Sequence, residues 1–183
     1  MQLAQPDRNV MTAAPKTTFV LGGARSGKSR YAEGLIATLP PPWTFVATAE
    51  PGDAEMRARI AAHRARRGSS WQTVEAPHEL AEAVVLAQPM PVLVDCLTLW
   101  LSNLMLAKAD IEAEIARLER ALDAASAPVV LVSNEVGSGI VPEHPLGRQF
   151  RDQQGTLNQR MAARADRVVL MVAGLPLAVK GTL

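Results

Sequence analysis

The stretch Gly22-Gly23-Ala24-Arg25-Ser26-Gly27-Lys28-Ser29 constrains this chain more than any other, because it satisfies G-x-x-x-x-G-K-[ST] at every fixed position. Such a loop works between a buried strand and a helix. The apolar run Phe19-Val20-Leu21 leads into it, and an amphipathic segment carrying Tyr31, Leu35 and Ile36 leads out. Gly22 and Gly27 allow a close backbone approach that a Cβ would block. Loop amides turned inward, beside the positive end of the next helix, suit the phosphates of a nucleoside triphosphate. Lys28 would bring a mobile charge to the β- and γ-phosphates, and Ser29 a hydroxyl to Mg²⁺. A chance Gly-rich turn would not come with strand, loop and helix in this order.

The remaining pattern predicts an α/β fold. Short apolar runs at Thr17–Leu21, Thr44–Ala47, Val92–Val94, Val129–Val132 and Val168–Val172 have the length and β-branched content of strands buried on both faces of a parallel sheet. Helix-period segments alternate with them: Ser29–Leu39, Ala54–Arg67, His78–Gln88, Leu97–Leu106, Asp110–Ala125 and about Gly147–Ala165. Pro40, Pro41 and Pro42 close the first helix, and His78 is expected to open the third. Asp110, Glu112 and Glu114 place acid at a helix N-terminus. The irregular stretch Ser133–Pro145 follows a buried strand, where α/β proteins place ligands.

At 183 residues the chain reads as one domain with a core of its own. Residues 1–16 are expected to form a loose tail before a single catalytic domain over 17–183. The formal charge is only +1 and aromatics make up 4%, which favours neither a nucleic-acid nor a membrane partner. No stretch approaches the roughly 20 apolar residues of a membrane span. Cys96 stands alone and cannot form an internal disulfide, which suits a reducing cytoplasm. A soluble cytoplasmic protein is the expectation.

A nucleotide loop of this kind needs a carboxylate on the metal side, commonly at the end of a buried strand. Asp95 follows Pro91-Val92-Leu93-Val94 in that way; the competing role is a cap for the helix beginning at Leu97. The segment 54–67 carries Arg57, Arg59, Arg64, Arg66 and Arg67 around a single histidine, His63. His63 shares an apolar stripe with Met56 and Ile60, so its bland reading is a packed core residue. Five positive charges against the single acid Glu55 favour a polyphosphate partner.

These residues together resemble a known family. Gly22–Arg30, Ala47-Thr48-Ala49, Glu55-Met56 with Arg59-Ile60 and His63-Arg64, and Trp71–Glu75 are similar to the bifunctional adenosylcobinamide kinase/adenosylcobinamide-phosphate guanylyltransferases of cobalamin biosynthesis. So are Val132–Glu143, Phe150-Arg151-Asp152 and Asn158-Gln159-Arg160. The resemblance runs from about Phe19 to Val172 and is far more specific than the loop alone.

The resemblance implies a RecA-like P-loop NTPase with a mostly parallel sheet flanked by helices, assembled as a homotrimer. It implies two reactions: ATP or GTP phosphorylates the aminopropanol hydroxyl of adenosylcobinamide. GTP then gives GMP to adenosylcobinamide-phosphate through a GMP-histidine. The matching histidine is His63; some relatives carry two adjacent histidines, and here Ala62 replaces the first. By the same matching Thr48, Ala49, Glu50, Arg64, Ala65, Arg66, Arg67, Glu75 and Asp95 would contact GTP, although Glu50 departs from the amide found in many relatives. Glu75 and Asp95 are both candidates for the kinase base. Two readings compete with this one: a single-activity small-molecule kinase with a structural His63, and a RecA-like ATPase acting on nucleic acid or protein.

Overall fold

Strands covered on both faces must be apolar throughout, and a crossover helix must present one apolar stripe; both rules are obeyed here. The computed structural model describes residues 15–50, 52 and 68–183. Its elements in chain order are β1 (Thr17–Gly22), α1 (Lys28–Ala37), β2 (Trp43–Ala47), β3 (Trp71–Glu75), α2 (Leu80–Leu86), β4 (Val92–Asp95) and α3 (Leu97–Leu106). There follow α4 (Ile111–Ala124), β5 (Val129–Asn134), α5 (Pro145–Arg164), β6 (Arg167–Val172) and β7 (Leu175–Lys180). The described strands form one seven-stranded sheet in the order β3-β2-β4-β5-β1-β6-β7. Every pairing is parallel except β6 with β7. The expected mostly parallel α/β sheet is the fold observed.

Two strands go beyond the expectation, and both lie at sheet edges. β3 is only partly buried along its length, so Trp71-Gln72-Thr73-Val74-Glu75 lacks the continuous apolar run of a central strand. β7 carries Pro176, which an edge strand tolerates because one side needs no ladder donor. Two helix starts also shift. Glu79, not His78, precedes the first turn of α2, and α5 begins with Pro145 in its first turn. Asp110 caps α4 as expected, its carboxylate accepting from the Ala113 amide at 3.0 Å. The expected helix over Ala54–Arg67 and most of the expected tail lie outside the described residues. Lys16, at the end of that tail, is tied in: its carbonyl accepts from Val129 N at 2.8 Å.

Alternation along the central strands divides the core. Val20, Leu93, Val130, Val132 and Val169 face α1, against Ala32 and Ile36. Phe19, Val92, Val94, Val129, Leu131 and Val168 face the other layer, where α2, α3, α4 and α5 contribute Leu80, Trp100, Leu118 and Leu157 among others.

The second layer is locked by charge. Arg160 on α5 bonds Glu119 at 2.7 and 2.8 Å and Glu112 at 2.7 and 2.8 Å, both on α4. The Arg160 hydrogen bond holds the Glu119 carboxyl below its usual range, against the opposing effect of burial. A depressed carboxylate pKa stabilises the fold above the unfolded value, and that stability is lost as pH falls through the folded value. Glu119→Gln is therefore expected to cost about 1.5–3 kcal/mol in urea unfolding at pH 7, with the deficit shrinking below pH 4.5.

Candidate active site

The P-loop sits where β1 ends and α1 begins. Gly27 takes φ 94° immediately before the helix, a conformation in which a side chain is strained, and Arg25 takes φ 57°. Gly22 has no room for a Cβ: it would collide with the Ser26 hydroxyl and lie 2.9 Å from the Met171 carbonyl. The Ser26 hydroxyl is buried and has no hydrogen-bond partner among the described residues. Lys28 reaches back to the Gly23 carbonyl at 3.0 Å. The first turn of α1 contains no acid, unlike that of α4, so its positive end is left for an anion. From the far side, the turn between β6 and β7 braces the loop through Gly174 N donating to Ser26 O at 3.0 Å.

Parallel pairing brings further candidates to the same edge. Glu75, Ala47, Asp95, Val132 and Val20 form one row across five strands. Residues in one row point to one face, here the α1 side. The Glu75 and Asp95 backbones lie two strand spacings, about 10 Å, apart. Asp95 is half-buried. It does not close α3: Cys96 is the residue before the first turn, and no side-chain cap bond forms there. Ser29 and Asp95 are hard oxygen donors, which fits Mg²⁺ held by a hydroxyl, one carboxylate and substrate phosphates.

Thr48 is wholly buried. Its hydroxyl donates to Cys96 O at 2.7 Å and accepts from Cys96 N at 2.9 Å. Glu50 is exposed and stands 3.9 Å from His78 Nδ1, a pairing worth little at a surface. His63, Arg64, Ala65, Arg66 and Arg67 lie outside the described residues. The structure thus gathers the P-loop, Thr48, Ala49, Glu50, Glu75 and Asp95 along one edge.

Several residues at this edge carried no assigned role in the sequence reading. Glu135 N donates to Gly22 O at 3.2 Å, tying the loop after β5 to the P-loop. Its carboxylate accepts from Gly137 N at 2.7 Å and Ser138 N at 3.1 Å. Burial pushes its pKa up, but the bonds from Ser138 and Gly137 outweigh that and hold the carboxyl below its usual range. Thr98, Trp100 and Asn103 of α3 also reach the strand ends. One signal was available for Asn103: it is an amide in the mostly apolar run Leu97–Leu106, which it shares with Thr98 and Ser102.

Cys96 adjoins Asp95 yet is chemically quiet. Burial, reinforced by the Asp95 charge, pushes its thiol up to about 11. Iodoacetamide at pH 8 is expected to leave native Cys96 unlabelled over the time in which the urea-unfolded chain reacts fully, as mass spectrometry would read.

Comparison with known proteins agrees with the architecture. Residues 18–179 match the family described as "Cobinamide kinase / cobinamide phosphate guanyltransferase". The "Bifunctional adenosylcobalamin biosynthesis protein CobP" of Pseudomonas aeruginosa is 46% identical, the match covering 89% of this chain and 96% of that protein. The "Bifunctional adenosylcobalamin biosynthesis protein CobU" of Salmonella typhimurium is 43% identical, over 88% of this chain and 98% of that protein. Among solved structures, the type III secretion ATPase EscN of enteropathogenic E. coli superposes with a TM-score of 0.53 at 11% identity. That match covers 87% of this chain and 43% of the ATPase, and it speaks for the P-loop ATPase fold alone.

Proposed function

We propose, from the premise that this chain belongs to the cobinamide kinase / cobinamide phosphate guanyltransferase family, that one nucleotide site at Gly22–Ser29 serves two reactions on one substrate. The chain is an enzyme of cobalamin biosynthesis. In the first reaction the aminopropanol hydroxyl of adenosylcobinamide attacks the γ-phosphorus of ATP or GTP. The bond to the β-γ bridging oxygen breaks and a nucleoside diphosphate leaves. In the second, an imidazole nitrogen of His63 attacks the α-phosphorus of GTP and pyrophosphate leaves. An oxygen of adenosylcobinamide-phosphate then attacks the same phosphorus, the P–N bond breaks, and adenosylcobinamide-GDP is formed.

The P-loop cradle carries this reading. A buried Ser26 hydroxyl with no partner among the described residues, a loop with no room for a Cβ at Gly22, and a helix start free of acid together suit an anion. Lys28 and the loop amides offset charge on the leaving oxygens, whichever phosphorus is attacked, so one cradle can serve both transfers. Ser29 and Asp95 would hold Mg²⁺, which when bound adds positive charge at the phosphate oxygens. Splitting GMP transfer through His63 avoids bringing two anionic phosphates together in one step. The arginines at 57, 59, 64, 66 and 67 favour the neutral imidazole that attacks. Ala49, Glu50, Arg64, Ala65, Arg66, Arg67 and Glu75 complete the GTP contacts in this proposal, and Thr48 stands at the same edge, bonded to Cys96. Either Glu75 or Asp95 is its kinase base.

A two-stage assay tests the proposal. With adenosylcobinamide, GTP and Mg²⁺, the protein should form adenosylcobinamide-phosphate and then adenosylcobinamide-GDP with one pyrophosphate per GMP transferred. Accumulation of the phosphate alone would establish a single-activity kinase. Assembly as a homotrimer belongs to the same proposal and is supported by the exposed apolar side chains Leu175, Leu177 and Val179 on β7. Sedimentation should give three times the 19.6 kDa chain mass.

A further inference from the structure

Helix α3 starts two residues after Asp95. Its interior carries three buried polar groups, on Thr98, Trp100 and Asn103, and each bonds to backbone where another strand leaves the sheet. Asn103 Nδ2 donates to Thr48 O at 2.8 Å, just past β2, and to Pro77 O at 3.1 Å, past β3. Trp100 Nε1 donates to His78 O at 2.8 Å. Thr98 Oγ1 accepts from Asn134 N at 2.8 Å, at the end of β5. Thr48 closes the circuit by bonding both the amide and the carbonyl of Cys96. Buried polar groups need partners, and a connected set fixes its members more firmly than isolated pairs do.

We infer that Thr48 and Asn103 are positioning residues: through the backbone they set Asp95 at the end of β4 against the exits of β2 and β3, and the Thr48 side chain is not a nucleotide ligand. The one proton of the Thr48 hydroxyl goes to the Cys96 carbonyl and is not left for a phosphate oxygen, one lone pair accepts from the Cys96 amide, and the Thr48 carbonyl accepts from Asn103. This inference rests on the proposed nucleotide role of Asp95 and refines it. A positional error at the carboxylate weakens the metal-dependent part of binding and leaves the contacts of the P-loop itself intact.

The test is calorimetric binding of a non-hydrolysable GTP analogue, with and without Mg²⁺, to the full chain and to Thr48→Val, Asn103→Leu, their double variant and Thr48→Ser. Melting temperatures and the kcat and KM of the kinase step are measured alongside. Each single variant should lose on the order of 10-fold of the affinity that Mg²⁺ adds, with metal-free affinity unchanged. The double variant should be no worse than either single one, because both break the same circuit. Thr48→Ser should behave as the parent. Where a variant melts below the assay temperature, Thr48→Ala or Asn103→Ala is read by the same criteria. Loss of metal-free affinity in Thr48→Val alone would make Thr48 a ligand and overturn the inference, as would parental binding by both single variants. A parent chain whose analogue binding ignores Mg²⁺ would instead overturn the underlying reading of Asp95.

Discussion

Lys28→Ala is expected to slow both phosphoryl transfer and GMP transfer by about 100- to 1,000-fold, the usual effect of removing one preorganised charge partner from a transition state. Lys28 is the second-to-last residue of the loop and the first of α1, and its ammonium already lies over the loop at the Gly23 carbonyl. Its charge would meet the β- and γ-phosphates in the kinase step and the departing pyrophosphate in the guanylyl step. A shared loss is therefore the signature of a shared site. Steady-state rates for each half-reaction, measured with the intermediate phosphate supplied for the second, would read it. Retention of full turnover in either half would show that the two reactions do not share this loop.

His63→Ala is expected to separate them. Removal of the proposed nucleophile should reduce GMP transfer at least about 1,000-fold while leaving most of the kinase activity. Ala62 precedes it, so no neighbouring histidine can substitute. The comparison with Lys28→Ala matters because a general defect in folding or nucleotide binding would depress both reactions together. Normal formation of adenosylcobinamide-GDP by His63→Ala would eliminate the covalent route.

The central fold was legible because its signals are local. Four apolar residues before Asp95, or three before Gly22, can only be a strand buried on both faces next to a loop with special backbone needs. The edges were not legible. β3 and β7 are defined by the neighbour they pair with, and their half-exposed faces leave no unbroken apolar run. The site divides in the same way. Gly22, Gly27, Lys28 and Ser29 announce themselves through a spacing that phosphate geometry demands. Asp95 could be read as a carboxylate or as a cap, and the absence of a side-chain cap on α3 removes the second role. Thr48 was read as a GTP contact, and its two hydroxyl bonds to the Cys96 backbone, 48 residues away, had no signal in the sequence. Bonds from Asn103 to carbonyls 55 and 26 residues away have no spacing rule in one dimension. The mixed polarity of α3 was the only trace of them.

In the proposed mechanism the GTP held at a single nucleotide loop is opened at the α-phosphorus by the chain itself. Incubation with GTP labelled at the α-phosphate tests this most directly, followed by denaturation, alkaline and acid challenge, and peptide mapping. One label per chain is expected at His63, stable to denaturation and alkali, labile to acid, absent in His63→Ala, and discharged by adenosylcobinamide-phosphate. A chain that transfers GMP to that acceptor without ever carrying the label, or carries it elsewhere than His63, would contradict it.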